Sequence, residues 1–400
     1  MLHRLRHHSL ILPLYLPSLF IAIAWGIRDP ILPLYVRDFG AAYGLVGIVL
    51  AGEAIGMLAS DLPGGMLLRW LGQKRAMIAG LTMTTLAILA LVWAHSVPEV
   101  LVYRILGGVG FALFATARHA YLAEQIPILQ RGRAVALLGG VFRIGSFVGP
   151  ALGGFVADKF TLRAPFLLMA ILAGLAWVVV VLFMPEQNEH QPLKPQAFGL
   201  YLREMRVVAR QQAKILMTVG AGQLFAQMVR TGPKVLIPLF AADVLGLNVT
   251  QIGLIVSIGA AIDMSLFYPV GVVMDRYGRK FAIVPSFIFL GIGMILMPLT
   301  QGFVGLAIVA GVIGFGNGLG SGTMMTLAAD LAPSEARGEF LGMWRLIGDA
   351  GFTVGPIVAG AVAGWLALPI AMVVMGSSGL LSSFIFATLV PETNKRQTAV

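Results

Sequence analysis

Almost the whole chain is written in apolar blocks of about 20 residues, the length a helix needs to cross a hydrocarbon core of about 30 Å. Twelve such blocks begin near residues 10, 44, 76, 98, 134, 164, 213, 249, 281, 303, 340 and 367. Lipid offers no partner to a backbone N–H or C=O, so each spanning segment must be a helix or part of a closed barrel. A barrel needs short alternating strands, whereas these blocks are continuous and rich in Leu, Ala, Ile and Gly. Only 12% of the residues are charged, against about 25% in soluble domains. The expected fold class is therefore all-α integral membrane, with twelve transmembrane helices. The first block is too long for a signal peptide and lacks a small-residue cleavage site, so it reads as a retained helix. The absence of cysteine excludes disulfides and thiolate metal sites.

A net charge of +10 would also suit a nucleic-acid binder, but topology accounts for it. With both termini placed in the cytoplasm, eighteen of the 28 Lys and Arg residues fall on inside segments. Three, Arg37, Lys159 and Arg163, fall on outside loops, and the other seven lie within helices. This is the positive-inside asymmetry of a multi-pass protein, expected in the inner or plasma membrane. No nucleic-acid partner is expected.

Residues 65–74 read GMLLRWLGQK and residues 271–280 read GVVMDRYGRK, with the glycines and final lysine in register at an offset of 206. The same offset carries Pro127 onto Pro333, Arg131 onto Arg337, Gly149-Pro150 onto Gly355-Pro356 and Pro185-Glu186 onto Pro391-Glu392. One constant shift over so many motifs implies two homologous six-helix bundles, 1–186 and 213–400. Residues 187–212 join them as a polar, then basic, cytoplasmic linker ending in a short amphipathic helix on the inner leaflet. Repeats of this kind place a substrate site near the midplane between halves that rock.

Three stretches carry a family resemblance. GVVMDRYGRK resembles the cytoplasmic-loop signature of the major facilitator superfamily. YRILGGVGFA from Tyr103 resembles its fourth-helix signature, with Arg104. GSFVGPALGG, residues 145–154, is similar to the fifth-helix signature of its twelve-helix drug:proton antiporters. The resemblance covers nearly the whole chain. It implies two pseudo-symmetric bundles, export of small amphiphilic compounds by proton-coupled alternating access, and a cavity lined by spans 1, 4, 7 and 10. It implies that the loop with Gly271, Asp275, Arg276, Gly278 and Arg279 latches the halves. It also implies that Gly149 and Pro150 help seal span 5 against leak, with the small-residue face packing on span 8.

The first loop copy departs from the pattern: Arg69 replaces the acid, and Trp70 and Gln73 replace two arginines. Asp61, two turns earlier, is expected to pair with Arg345 as a substitute. In the second copy the glycines are expected to allow a tight turn and close helix approach, with the basic residues held at the anionic inner surface.

Ionisable residues at membrane depth are costly unless partnered or hydrated, so each is a candidate for function. Span 1 carries Arg28 and Asp29; span 4 carries Arg104, Phe111 and Arg118 along one stripe. Span 7 carries Gln223, Gln227, Arg230 and Lys234 at i, i+4, i+7 and i+11, one helical face. Of these, Arg28, Arg104, Phe111, Gln223, Gln227, Arg230 and Lys234, with Asn317 on the glycine-rich span 10, are the candidate substrate cavity. Five cations against one acid, Asp29, lean toward an anionic, zwitterionic or amphiphilic substrate, such as a lysolipid or organic anion exported or flipped. Proton coupling calls for a buried carboxylate beside an arginine. Asp29 and Glu53 are the candidates, with Arg104 as partner. Asp263 and Arg143 are expected to form a gating salt bridge.

The remaining signals are weak. His3, His7 and His8 read as a cytoplasmic tail, His119 as a titrating group without a visible partner, and Asn248–Thr250 as a chance sequon. No metalloprotease, nucleophile-elbow or phosphate-loop motif is present, so neither an enzyme nor a cofactor is expected. The expected partners are a small-molecule substrate, protons and the bilayer, with the protein a monomer.

Overall fold

The computed structural model describes residues 11–185 and 206–393, without the side chains of residues 11, 61–65, 69, 128, 129 and 335. Helices dominate it: α1 (Leu16–Asp38), α2 (Tyr43–Leu91), α3 (Val97–Gln125), α4 (Ile128–Lys159), α5 (Ala164–Phe183) and α6 (Ala213–Asp243). They continue as α7 (Val249–Tyr277), α8 (Lys280–Leu296), α9 (Gly302–Leu319), α10 (Thr323–Leu331), α11 (Arg337–Trp365) and α12 (Leu368–Thr388). Among the described residues eleven stretches are long and apolar enough to span a membrane. The 31-residue α6 is not among them, because its polar face lowers its hydropathy, yet it supplies the twelfth span.

Predicted starts hold to within a few residues, except span 1, whose α1 begins at Leu16, and span 5. There α4 begins at Ile128, because the polar turn with Gln130, Arg131 and Arg133 is already helical. α2 joins two expected spans through Gly72, whose φ of 74° and ψ of 168° break the helix. At the same place in the repeat, Gly278 has φ 105°. The phrase is therefore kept for a left-handed turn residue, which glycine adopts without a Cβ clash. Gly271 plays no such part: a Cβ there would meet open space, so the expected close helix approach does not apply to it.

The chain folds into two compact units, Met1–Pro192 with Ile237–Ser257, and Leu193–Leu236 with Ile258–Val400. In the first, Gly26 of α1 meets Gly145 and Gly149 of α4 backbone to backbone, and Gly153 abuts Ile27. Three of the four glycines in the fifth-span signature thus face α1, which corrects the expectation that they face span 8. Gly154 alone turns the other way, onto Val249, Thr250 and Gly253. Small residues let backbones approach where lipid supplies no hydrophobic drive.

Pro150 interrupts α4, and Ser257 of α7 repairs it. Ser257 Oγ donates to the Phe147 carbonyl at 2.7 Å and accepts the Ala151 N–H at 3.0 Å. The hydroxyl thus stands in the i to i+4 gap beside the proline.

The second unit repeats the glycine crossing at the 206 offset. Gly351 and Gly355 of α11 abut Leu224, Met228 and Thr231 of α6. Span 10 is broken between α9 and α10, where Gly322 sits at φ 72°.

Candidate functional site

The first unit holds a buried polar cluster from three helices. Glu53 on α2 accepts hydrogen bonds from Arg28 of α1 and from Arg104 Nη2 of α3 at 2.5 Å. Arg28 Nη2 also donates to Asp29 Oδ1 at 3.0 Å. Glu53 is 7% exposed and Arg104 8%. Packing makes this possible: a Cβ at Gly108 would collide with the Glu53 backbone, so α2 and α3 touch where the pair forms. Two guanidinium groups and two carboxylates balance one another, as buried charges must. The cation excess expected from the cavity spans is therefore smaller, since Glu53 joins from span 2.

Phe111 lies two turns along α3, packed against Trp25 with ring centroids 4.1 Å apart. Trp25 in turn lies tilted against Phe142 at 5.7 Å, and Arg28 lies over the Trp25 ring at 5.3 Å. Further along, Arg118 is 4% exposed, between the Phe114 and Phe142 rings.

The polar face of α6 divides among several partners. Gln223 is buried, and Gln223 and Gln227 pack against Gly348 and Gly351 of α11. Arg230 donates to the Gly320 carbonyl at 2.9 Å, at the broken end of α9, and covers the Phe287 ring. Lys234 is exposed, with its ammonium 5.9 Å from the Phe352 ring. Asn317 donates to Asp263 Oδ2 at 3.0 Å, and Ser321 approaches the other oxygen at 3.5 Å. The expected single stripe thus becomes a helix-packing half and a half that holds a broken helix.

The second loop copy is wired within its own unit. Arg279 binds Asp275 at 2.9 Å and Asp330 at 3.1 Å, while Glu392 accepts the Arg279 and Lys280 backbone N–H groups. Partial burial pulls the Arg279 pKa down, but the bonds to the two acids outweigh it and raise the pKa above its ordinary value. Arg279 therefore faces carboxylates, correcting its expected role at the lipid surface, while Arg276 lies against Tyr277. Asp330 carries no motif and went unread in the sequence, and Glu392 was read there only as the repeat of Glu186.

Arg345 pairs with Asp349 of its own helix at 3.5 Å; the Asp61 side chain lies outside the described residues. Arg143 donates to the Gly139 carbonyl at 3.3 Å. Most of the linker and His3, His7 and His8 also lie outside them. The linker's last turn, 206–211, is helical, and Val208 is buried against Phe340 and Met343 of α11. That face meets protein at Val208 where inner-leaflet lipid was expected. His119 Nδ1 contacts the Ala115 carbonyl at 2.7 Å. Asn248 Oδ1 accepts the Gln251 N–H at 2.9 Å and caps α7, which explains that residue without a glycan. Among the described residues no three His, Cys, Asp or Glu side chains gather as a metal site.

One cluster was missed altogether. Asp243, at the end of α6, pairs with Arg37 at 3.3 Å and accepts the Tyr43 hydroxyl at 2.8 Å, with Arg37 over the Tyr43 ring.

The family model of the Major Facilitator Superfamily matches residues 14–222 and 219–400. The chain belongs to the major facilitator superfamily. It is 26% identical over 365 residues to the multi-drug resistance efflux pump PmrA homolog of Lactococcus lactis, covering 88% of each chain. It is 22% identical over 351 residues to the quinolone resistance protein NorA of Staphylococcus aureus, covering 87% of this chain and 88% of that one. The crystal structure of a D-xylose-proton symporter superposes with TM-score 0.77 at 19% identity, over 96% of this chain and 98% of that one. A nucleoside transporter structure, NupG, does so with TM-score 0.77 at 14% identity, over 96% and 100%. The protein is thus a multi-pass membrane protein of a transporter family, related in sequence to drug-efflux pumps.

Proposed function

We propose that this protein is a proton-coupled antiporter that exports small amphiphilic organic compounds by alternating access. It sits in the inner or plasma membrane as a monomer with both termini cytoplasmic. The observation that carries the reading is Glu53, one buried carboxylate held by two arginines from different helices. Protonating Glu53 removes one negative charge from a balanced cluster and leaves Arg28 and Arg104 competing for Asp29. Their like charges then favour a rearrangement of α1 against α3, which couples proton occupancy to helix position. Substrate export would draw the proton inward through the same carboxylate. The relatives' names support the efflux direction. In this reading Arg143 and Asp263 gate the pathway, and the Asp275–Arg279–Asp330 network steadies the cytoplasmic loop.

The test is movement of cationic, neutral and anionic fluorescent amphiphiles in proteoliposomes under an imposed pH gradient. Gradient-driven movement lost in Asp29→Asn or Glu53→Gln supports the reading. Movement that ignores the gradient contradicts it. A second reading, export or flipping of an anionic or zwitterionic amphiphile such as a lysolipid, draws on the buried Arg118.

A further inference from the structure

Arg118 is a buried cation that no part of the proton reading uses. It is 4% exposed, and among the described residues its contacts are one hydrogen bond to Ser18 Oγ at 3.2 Å and two aromatic rings. Phe114 and Phe142 each lie 5.3 Å from its guanidinium carbon, and its Nε has no acceptor. No carboxylate pairs with it among the described residues, in contrast to Arg28 and Arg104. Ser18 spends its own proton on the Leu14 carbonyl at 2.7 Å, so it offers Arg118 a lone pair and no charge. A guanidinium has five N–H donors in a fork that matches a carboxylate or sulfonate. A cation buried this deeply is costly without an anion, and none of the described carboxylates supplies one.

The surroundings say what shape the anion has. Ser18 and Trp25 are seven residues apart on α1, and Arg118 and Phe111 seven apart on α3, each about 10 Å along the axis. Trp25 packs at a tilt against Phe111, and Phe142 of α4 reaches both Trp25 and Arg118. One end is therefore cationic and polar, and the other is walled by rings. Trp25 and Phe142 are half-buried, whereas Arg118 is buried.

We infer that Arg118, Ser18 and the Trp25–Phe111–Phe142 rings form a subsite for an aromatic amphiphile bearing a carboxylate or sulfonate, with the anion on Arg118. The inference rests on the transport reading and narrows its substrate class. The guanidinium fork takes the anion, the rings take the flat apolar body, and the far end of that body lies toward Arg28 beside the proton cluster.

The experiment measures binding of 2-naphthoate and its neutral isostere 2-naphthamide to the full-length protein in nanodiscs at neutral pH, without a gradient. Wild type should prefer the naphthoate. Arg118→Gln should weaken naphthoate binding at least tenfold and leave the amide unchanged, and Arg118→Lys should lie between. Phe142→Ala should weaken both probes. Thermal melting separates these effects from misfolding, and Phe142→Ala tests the site with Arg118 intact. Equal affinity of wild type for the two probes, or naphthoate binding unmoved in Arg118→Gln, overturns the inference. Gradient-driven transport without anion preference would overturn the subsite and leave the antiport reading. Arg118-dependent naphthoate binding without gradient-driven transport would do the reverse.

Discussion

Gly72 and Gly278 stand 206 positions apart and both hold positive φ, 74° and 105°. Each ends a span in the twice-written phrase, so the turn outlived the divergence of the charges around it. Arg279 binds Asp330 in the second copy. At the offset positions the first copy has Gln73 and Glu124, with a neutral amide in place of the cation. Alanine at Gly278 would place an L residue in the left-handed region, at a cost of about 1–2 kcal/mol. Gly271→Ala, inside a helix with open space for a methyl, should instead stabilise by up to about 1 kcal/mol. Thermal unfolding in detergent should rank the two on opposite sides of wild type.

Glu53 is both a structural anion and the proposed proton carrier, and a double-mutant cycle separates the roles. Glu53→Gln leaves two buried arginines with one acid and should cost about 3–5 kcal/mol. Adding Arg104→Gln should recover part of that loss, because the cluster is balanced again. Gradient-driven transport should stay lost in both. A double variant that melts no higher than the single would remove Arg104 as the partner.

Much of the fold was legible because lipid leaves few choices. Apolar blocks had to be helices, and a constant offset had to be a duplication. Arg28, Arg104 and Glu53 were legible as costly residues, but their meeting depends on Gly108 lying flush on α2, a matter of helix rotation. Ser257 gave no signal at all, since a serine in a span acquires meaning only once Pro150 lies opposite. Likewise Asp243 reads as a loop acid until the end of α6 meets Arg37. Gln223 and Gln227 share a face with Arg230, yet the glycines of α11 claim that part of the face for packing.

Ser257→Ala should destabilise by about 1 kcal/mol, because it takes the hydroxyl partner from the part-buried Phe147 carbonyl and Ala151 N–H. Thermal melting reads the loss directly. A melting temperature equal to wild type would show that the helix closes its own gap.

Arg37 and Asp243 are about a third exposed, so their pair should contribute less than about 1 kcal/mol to stability. Its effect should fall on transport. The chain has no cysteine, so Arg37→Cys with Asp243→Cys can be bridged specifically by a flexible bismaleimide. Bridging should stop substrate turnover and a reducible linker should restore it on cleavage. Unimpeded turnover in the bridged protein would show that these helices need not separate.

The most direct test of Glu53 as proton carrier is proton release on ligand binding. Purified protein in weakly buffered detergent solution, acidified until Glu53 is protonated, receives an amphiphile already shown to bind, while a pH dye follows the medium and tryptophan fluorescence follows occupancy. The account predicts that wild type releases protons as it fills, and that Glu53→Gln fills without releasing them. Equal release from Glu53→Gln, or occupancy of wild type with no release, would contradict it.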